Sequence, residues 1–174
     1  MDESLDRAKH PVSVAAGPYG HPFHPILVTV PIGAWIGSLV LDIGSRAADN
    51  GGGLARAAWW MIALGIIGAA VAAIFGLLDF TRLPKRSTAG RTALIHMTLN
   101  VIVLACFVAS WIWREDRGVE EETSTGQIVL SIVALLLLSV SGWLGGRLSY
   151  HFGVRVARER DQLVGYDTAH RARR

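Results

Sequence analysis

Four histidines and one aspartate attract attention because the sequence around them is otherwise apolar. They are His21 and His24 in His21-Pro22-Phe23-His24-Pro25, Asp79 in Gly76-Leu77-Leu78-Asp79-Phe80, His96 in the middle of an apolar run, and His151 in Tyr150-His151-Phe152-Gly153. A neutral imidazole can ligate a transition metal or haem iron, pass a proton, or donate a hydrogen bond to a neighbouring helix. His96 is the strongest candidate, since Asn100 follows one turn later and the two make a polar stripe expected to face away from lipid. His24 stands before Pro25, where restricted backbones hold its side chain near a helix start. Asp79 and Arg91 flank a short connection and can pair with each other or fix a histidine tautomer. Asp42 and Arg46, one turn apart, read as an ordinary helix-end pair. His10 and His170 lie in the polar ends and ask for no special role.

The elements that must position these groups are legible in hydropathy. Hydrophobic residues make up 51% of the chain and charged residues 18%, a balance that belongs to membrane proteins. Apolar runs over residues 25–44, 57–80, 92–113 and 127–150 each approach the roughly 20 residues that a helix needs to cross about 30 Å of hydrocarbon. Backbone in lipid must bond to itself, so the expected fold is an all-α integral membrane protein, an antiparallel bundle of four transmembrane helices. A polar segment over residues 1–20, a membrane domain over 21–153 and a basic tail over 154–174 complete the organisation. The N-terminal MDESLDRAKH is acidic and polar, which argues against a signal peptide. The tail reads either as a short amphipathic helix on anionic lipid or as a solvated end.

Small residues recur at Gly33 and Gly37, at Gly68, Ala72 and Gly76, and at Gly142 and Gly146, spacings that let helices approach closely. Pro31 is expected to kink the first helix, and Gly51-Gly52-Gly53 to make a loose turn after it.

Every lysine and arginine except Arg46, Arg56, Arg114 and Arg117 falls on the side that carries the two termini and the second connection. By the positive-inside rule that side is cytoplasmic and both termini are inside, in a bacterial inner membrane. Trp59, Trp60, Trp111 and Trp113 gather at the opposite ends of the second and third helices, where indoles favour the interface. The same rule accounts for the net charge of +3, so no nucleic-acid partner is implied. In this orientation His21, His24, Asp79, His96 and His151 converge on one cytoplasmic layer.

Such a layer suits a bound haem b, or otherwise a transition metal, held by His24, His96 and His151 with His21 and Asp79 as further metal donors. Asn100 and Arg91 then line the cofactor, with Arg82, Arg86 and Arg147 also at hand for its propionates. Electrons would be exchanged with quinone or a partner protein. Two readings of other classes stand beside this one. In the first the protein is a non-enzymatic structural or assembly subunit, alone or as a homo-oligomer, with histidines as hydrogen-bonding glue. In the second it is a component of proton or metal-ion transport. The single cysteine, Cys106, excludes an intrachain disulfide and a cysteine-built cluster. No phosphate-binding glycine loop, nucleophile elbow or H-E-x-x-H pattern suggests an enzyme, and no catalytic residue is assigned.

HPFHPILVTVPIG in the first helix, GLLDF ending the second, the spacing of Arg91, His96 and Asn100 in the third, and GGRLSYHFGVRV closing the fourth resemble a bacterial membrane family. It is catalogued as domain of unknown function twenty-two thirty-one. The resemblance spans roughly residues 21–156. It implies four transmembrane helices and, through relatives fused to Rieske-type iron–sulfur domains, a connection with electron transfer. Its motif positions correspond to His21, His24, Pro25, Asp79, His96 and His151.

Overall fold

Long apolar runs become helices here because a backbone out of reach of water has only its own carbonyls to bond. The computed structural model of the chain describes residues 3–10, 13, 17, 22–159 and 162–163. A short α1 (Glu3–Lys9) precedes α2 (Phe23–Leu27), α3 (Thr29–Ala47), α4 (Gly52–Phe80), α5 (Thr88–Arg117) and α6 (Thr125–Gly146). A π-helical turn, Arg147–His151, closes α6. Among the described residues there is no strand. Four helical segments are long and apolar enough to cross a membrane: α2 with α3, α4, α5, and α6 with its π-turn. α3 packs chiefly on α4 and α5 on α6, while α4 against α5 and α3 against α6 close the ring.

The interruption between α2 and α3 follows from Pro31. A proline lacks the N–H for the carbonyl four residues back and collides with it. That carbonyl belongs to Leu27, and the helix breaks there, with Val28 as the turn residue before α3 resumes. α4 and α5 extend several residues beyond the apolar runs that announced them. Hydropathy marks the hydrocarbon, whereas helix formers such as Leu54, Ala55, Arg114 and Glu115 carry the helix on into the polar region. Local signals set the ends. The Ser87 side chain accepts from the Gly90 N–H at 3.0 Å, and Ser124 and Gln127 form a reciprocal capping box. Gly118, at φ 98°, ends α5 in a conformation open mainly to glycine. Gly51 makes the turn before α4 tight instead of loose, because a side chain there would overlap the Ser45 carbonyl.

The middle of the bundle is dry. Trp35, Ile62, Val103, Phe107 and Ala134 bring residues of α3, α4, α5 and α6 into one buried cluster. The Trp35 and Phe107 rings stack at 4.2 Å with an interplanar angle of 8°. Gly65 bares the α4 backbone where the Trp35 indole lies against it, and the indole N–H donates to the Ile62 carbonyl.

One end of the bundle is held by a buried ion pair that the sequence reading did not find. Arg114 donates from both terminal nitrogens to the two Asp42 oxygens at 2.7 Å each, and the side chains are 4% and 0% exposed. Thr123 Oγ1 donates to Asp42 Oδ1 at 3.0 Å, the Thr123 N–H donates to Ser45 Oγ, and Arg114 Nε reaches Ser110 Oγ. The expected pairing of Asp42 with Arg46 is therefore corrected. Arg46 donates to the Thr123 carbonyl at 3.1 Å, while Asp42 faces inward and takes the one guanidinium that reaches it from α5.

The opposite end is closed by the chain's own terminal segments. Ala8 of α1 is buried with Leu83, Ala93, Leu148 and Val154, and the Arg155 N–H donates to the Ala8 carbonyl at 3.0 Å. Asp6 pairs with Arg158 at 3.0 Å. Both described ends of the chain thus meet at the connection between α4 and α5, as four antiparallel spans require.

Truncating Arg114 would strand the Asp42 carboxylate in the interior. Arg114→Ala is expected to lower stability by about 3–5 kcal/mol, whereas Arg56→Ala, which removes an exposed pair with Glu120, should have little effect. Equilibrium unfolding of both variants in detergent micelles checks the difference.

Candidate functional site

His24 and His96 meet inside the bundle at the end where the terminal segments lie. Their ring centroids are 6.2 Å apart with planes at 88°. α2 carries His24 and α5 carries His96, and each ring reaches across to a different helix. His24 Nδ1 lies 2.9 Å from the Ala72 carbonyl of α4, and His96 Nδ1 lies 2.8 Å from the Ser141 carbonyl of α6. A carbonyl can only accept, so both imidazoles carry a proton on Nδ1, and in a neutral ring this leaves Nε2 with a lone pair that can accept. On His96 that lone pair accepts from Asn100 Nδ2 at 3.1 Å. The same Asn100 nitrogen lies 2.9 Å from the His96 carbonyl, which fixes the amide orientation. Ser141 Oγ is also 3.0 Å from His96 Nδ1 and donates to the His96 carbonyl at 3.2 Å.

Two glycines make room for these rings. A Cβ on Gly76 would stand 3.0 Å from His24 Nδ1 and Cε1, and one on Gly145 would stand 3.2 Å from His96 Cε1. Both distances are tighter than ordinary van der Waals contact, so α4 and α6 present bare backbone to the imidazoles. The small-residue spacings thus resolve into different roles. Gly37 faces Met61 and Gly68 faces Val30 and Pro31, as helix packing requires, but Gly76 seats a histidine. On α6 the expected pair was Gly142 and Gly146. Among the described residues a Cβ on Gly142 would meet no atom within 4 Å and one on Gly146 would stand 3.9 Å from Tyr150, whereas Gly145 makes the close contact.

The remaining expected residues divide. Asp79 lies at this end, one turn beyond Gly76 on α4, and its partner is Arg155, with Nε 3.1 Å from Oδ1. The expected pairing with Arg91 is corrected: Arg91 is exposed on the first turn of α5, and the C-terminal segment folds back to bring Arg155 to Asp79 first. His151 is exposed, with its ring against Phe152 at 4.8 Å, and no contact joins it to the other two histidines among the described residues. Arg147 lies over the Trp143 and Phe152 rings. His21, His170 and the arginines at 160, 171, 173 and 174 lie outside the described residues. No group of three or more His, Cys, Asp or Glu side chains among the described residues is arranged to hold a metal ion.

Sequence reasoning missed Ser141, Gly145 and Arg155. Ser141 and Gly145 are one turn apart on α6, so the spacing of a small polar residue and a glycine was available as a signal. Nothing local announces Arg155, which depends on how the tail folds back.

The family described as "Predicted membrane protein (DUF2231)" matches residues 20–158, most of the chain. The chain belongs to this family. The matched region holds all four spans, both histidines, Asp79 and Arg155. No curated protein and no solved structure matches it. In this DUF2231 member the paired histidines depend on their glycine seats. Gly145→Val is expected to push His96 off the Ser141 carbonyl and destabilise the protein by about 1–3 kcal/mol. Ser141→Ala keeps that carbonyl and should remain within about 1 kcal/mol of wild type. Unfolding titrations of the two variants in the same detergent test the contrast.

Proposed function

We propose that this chain is a small redox protein of the bacterial inner membrane that holds haem b iron between His24 and His96 and exchanges electrons with quinone or a partner protein. The single observation that carries the reading is the pair of Nδ1–carbonyl contacts. Each imidazole is anchored through Nδ1–H to a backbone carbonyl, which in a neutral ring leaves Nε2 as the ligating atom, the arrangement that orients histidine ligands towards a metal. The spacing supports it as well. With metal–nitrogen bonds of about 2 Å, two imidazoles on one metal stand with ring centres roughly 6 Å apart, close to the 6.2 Å between these rings.

A porphyrin supplies four nitrogens of its own, so haem asks the protein for two ligands, whereas a bare transition ion needs more donors than this pair. Bound there, haem iron supplies one-electron redox chemistry. The residues' part is to bind and orient. Gly76 and Gly145 leave flat surfaces beside the rings, and Asn100 must turn from His96 Nε2 to release its lone pair. The concentration of lysine and arginine at this end of the bundle supports a cytoplasmic placement of the site and of both termini.

A structural role is the second reading, and one observation favours it. His24 ties α2 to α4 and His96 ties α5 to α6, so both also act as interhelical links. Transport has less support, since the stacked Trp35 and Phe107 rings close the middle of the bundle.

Protein produced with ample haem and purified in detergent is expected to show a Soret band with a reducible haem spectrum. His24→Ala and His96→Ala should abolish it while His151→Ala retains it. A wild-type protein that folds, elutes as one species and binds no haem would leave the structural reading in its place.

A further inference from the structure

The histidine pair has a floor on the side where the chain's ends meet. Gly76 seats His24, and Phe80 follows it by one turn of α4. Ala93 precedes His96 by nearly a turn of α5, and Leu148 follows Gly145, the seat of His96, at the same spacing. Residues three and four apart share a helix face, so Phe80, Ala93 and Leu148 lie below the imidazoles, between them and the end of the bundle. All three belong to one apolar cluster with Leu83 and Val154, and Ala8 of α1 completes it. In the other direction the stacked Trp35 and Phe107 rings fill the interior. An approach to the histidines along the bundle axis therefore passes through the cluster that α1 closes.

The two halves of this closure are fastened very differently. The tail is tied down, with the Val154 N–H donating to the Leu148 carbonyl at 3.0 Å, the Gly153 N–H donating to the Ser149 carbonyl at 3.1 Å, and Arg155 paired with Asp79. α1 is not. It has seven residues, and a helix shorter than about 12 residues is marginal in water without something to dock on. Its one buried residue is Ala8, while Leu5 is exposed. The Ala8 carbonyl accepts from the Arg155 N–H at 3.0 Å, and Lys9 Nζ donates to the Ala157 carbonyl at 3.4 Å on the surface. Asp6 and His10 meet the Arg158 guanidinium, all three partly exposed. Polar contacts open to water contribute little. α1 thus has the features of a segment that opens locally while the spans stay folded.

We propose that α1 is a lid on the histidine layer. Docked, it seals this end of the bundle; undocked, it admits water-borne reactants to His24 and His96 while the tail stays fastened to Asp79. Such a lid serves any ligand of the pair, so it stands or falls apart from haem binding.

Carbethoxylation reads the access. Diethyl pyrocarbonate transfers an ethoxycarbonyl group to an accessible imidazole nitrogen, and mass spectrometry of the digested protein follows each histidine separately. In full-length protein in nanodiscs, the exposed His151 is expected to react fast and His24 and His96 slowly. Ala8→Glu puts a carboxylate where the Ala8 methyl is buried, and should speed His24 and His96 by about tenfold or more with His151 unchanged. The lid can also be locked. Asp6→Cys with Arg158→Cys, on a Cys106→Ala background, is bridged by a bifunctional methanethiosulfonate. The bridge should slow both buried histidines by about tenfold against the same protein after reductive cleavage, so that one sequence serves as its own folding control. Wild-type His24 and His96 that react as fast as His151, rates that ignore the bridge, or changes matched at His151 would each overturn the lid.

Discussion

A polar atom that enters this bundle is costly unless it finds its partner inside it, because the hydrocarbon around the four spans offers none. That constraint explains why the polar interior is so orderly. Asp42 is met by both terminal nitrogens of Arg114, by Thr123 and, through Thr123, by Ser45. His24 and His96 each end on a backbone carbonyl of another helix. In water, groups of this kind would be free to turn outward, and the helices they connect would lose those cross-links. Here the same bonds set which helix lies against which.

The two polar layers also define what lies between them. His96 and Arg114 are eighteen residues apart on α5, about 27 Å of helix, and His24 and Asp42 are equally far apart in sequence on the first span. This separation is close to the thickness of the hydrocarbon, so each layer belongs near one face of the membrane. The cluster of Trp35, Ile62, Val103, Phe107 and Ala134 fills the space between. One end is therefore built for rigidity, with a bidentate ion pair and satisfied hydroxyls. The other carries the His24 and His96 imidazoles and the ion pair of Asp79 with Arg155.

How much of this was legible depends on the range of the interaction. Four spans, the break at Pro31, and the convergence of His24, Asp79 and His96 follow from hydropathy, from proline geometry and from counting helix directions, all short-range or topological facts. The pairing of charges was not legible. Asp42 has Arg46 one turn away, and local reasoning joins them, yet the partner is Arg114, seventy-two residues on. Asp79 and Arg155 show the same pattern, since sequence proximity favoured Arg91. A buried carboxylate selects the cation that can also be desolvated with it, and burial is a property of the assembled bundle. The glycines illustrate an intermediate case. Their spacing announced close approach, but only the fold says that Gly76 and Gly145 approach imidazole rings rather than helices.

The histidine pair need not be assigned to structure or to function alone. Nδ1 and Nε2 of one ring are separate resources: the first is spent on a carbonyl of α4 or α6, and that bond is what holds the second in a defined direction. A histidine fixed to a neighbouring helix makes a better-oriented ligand than one that rotates freely, so helix cross-linking and ligation reinforce each other.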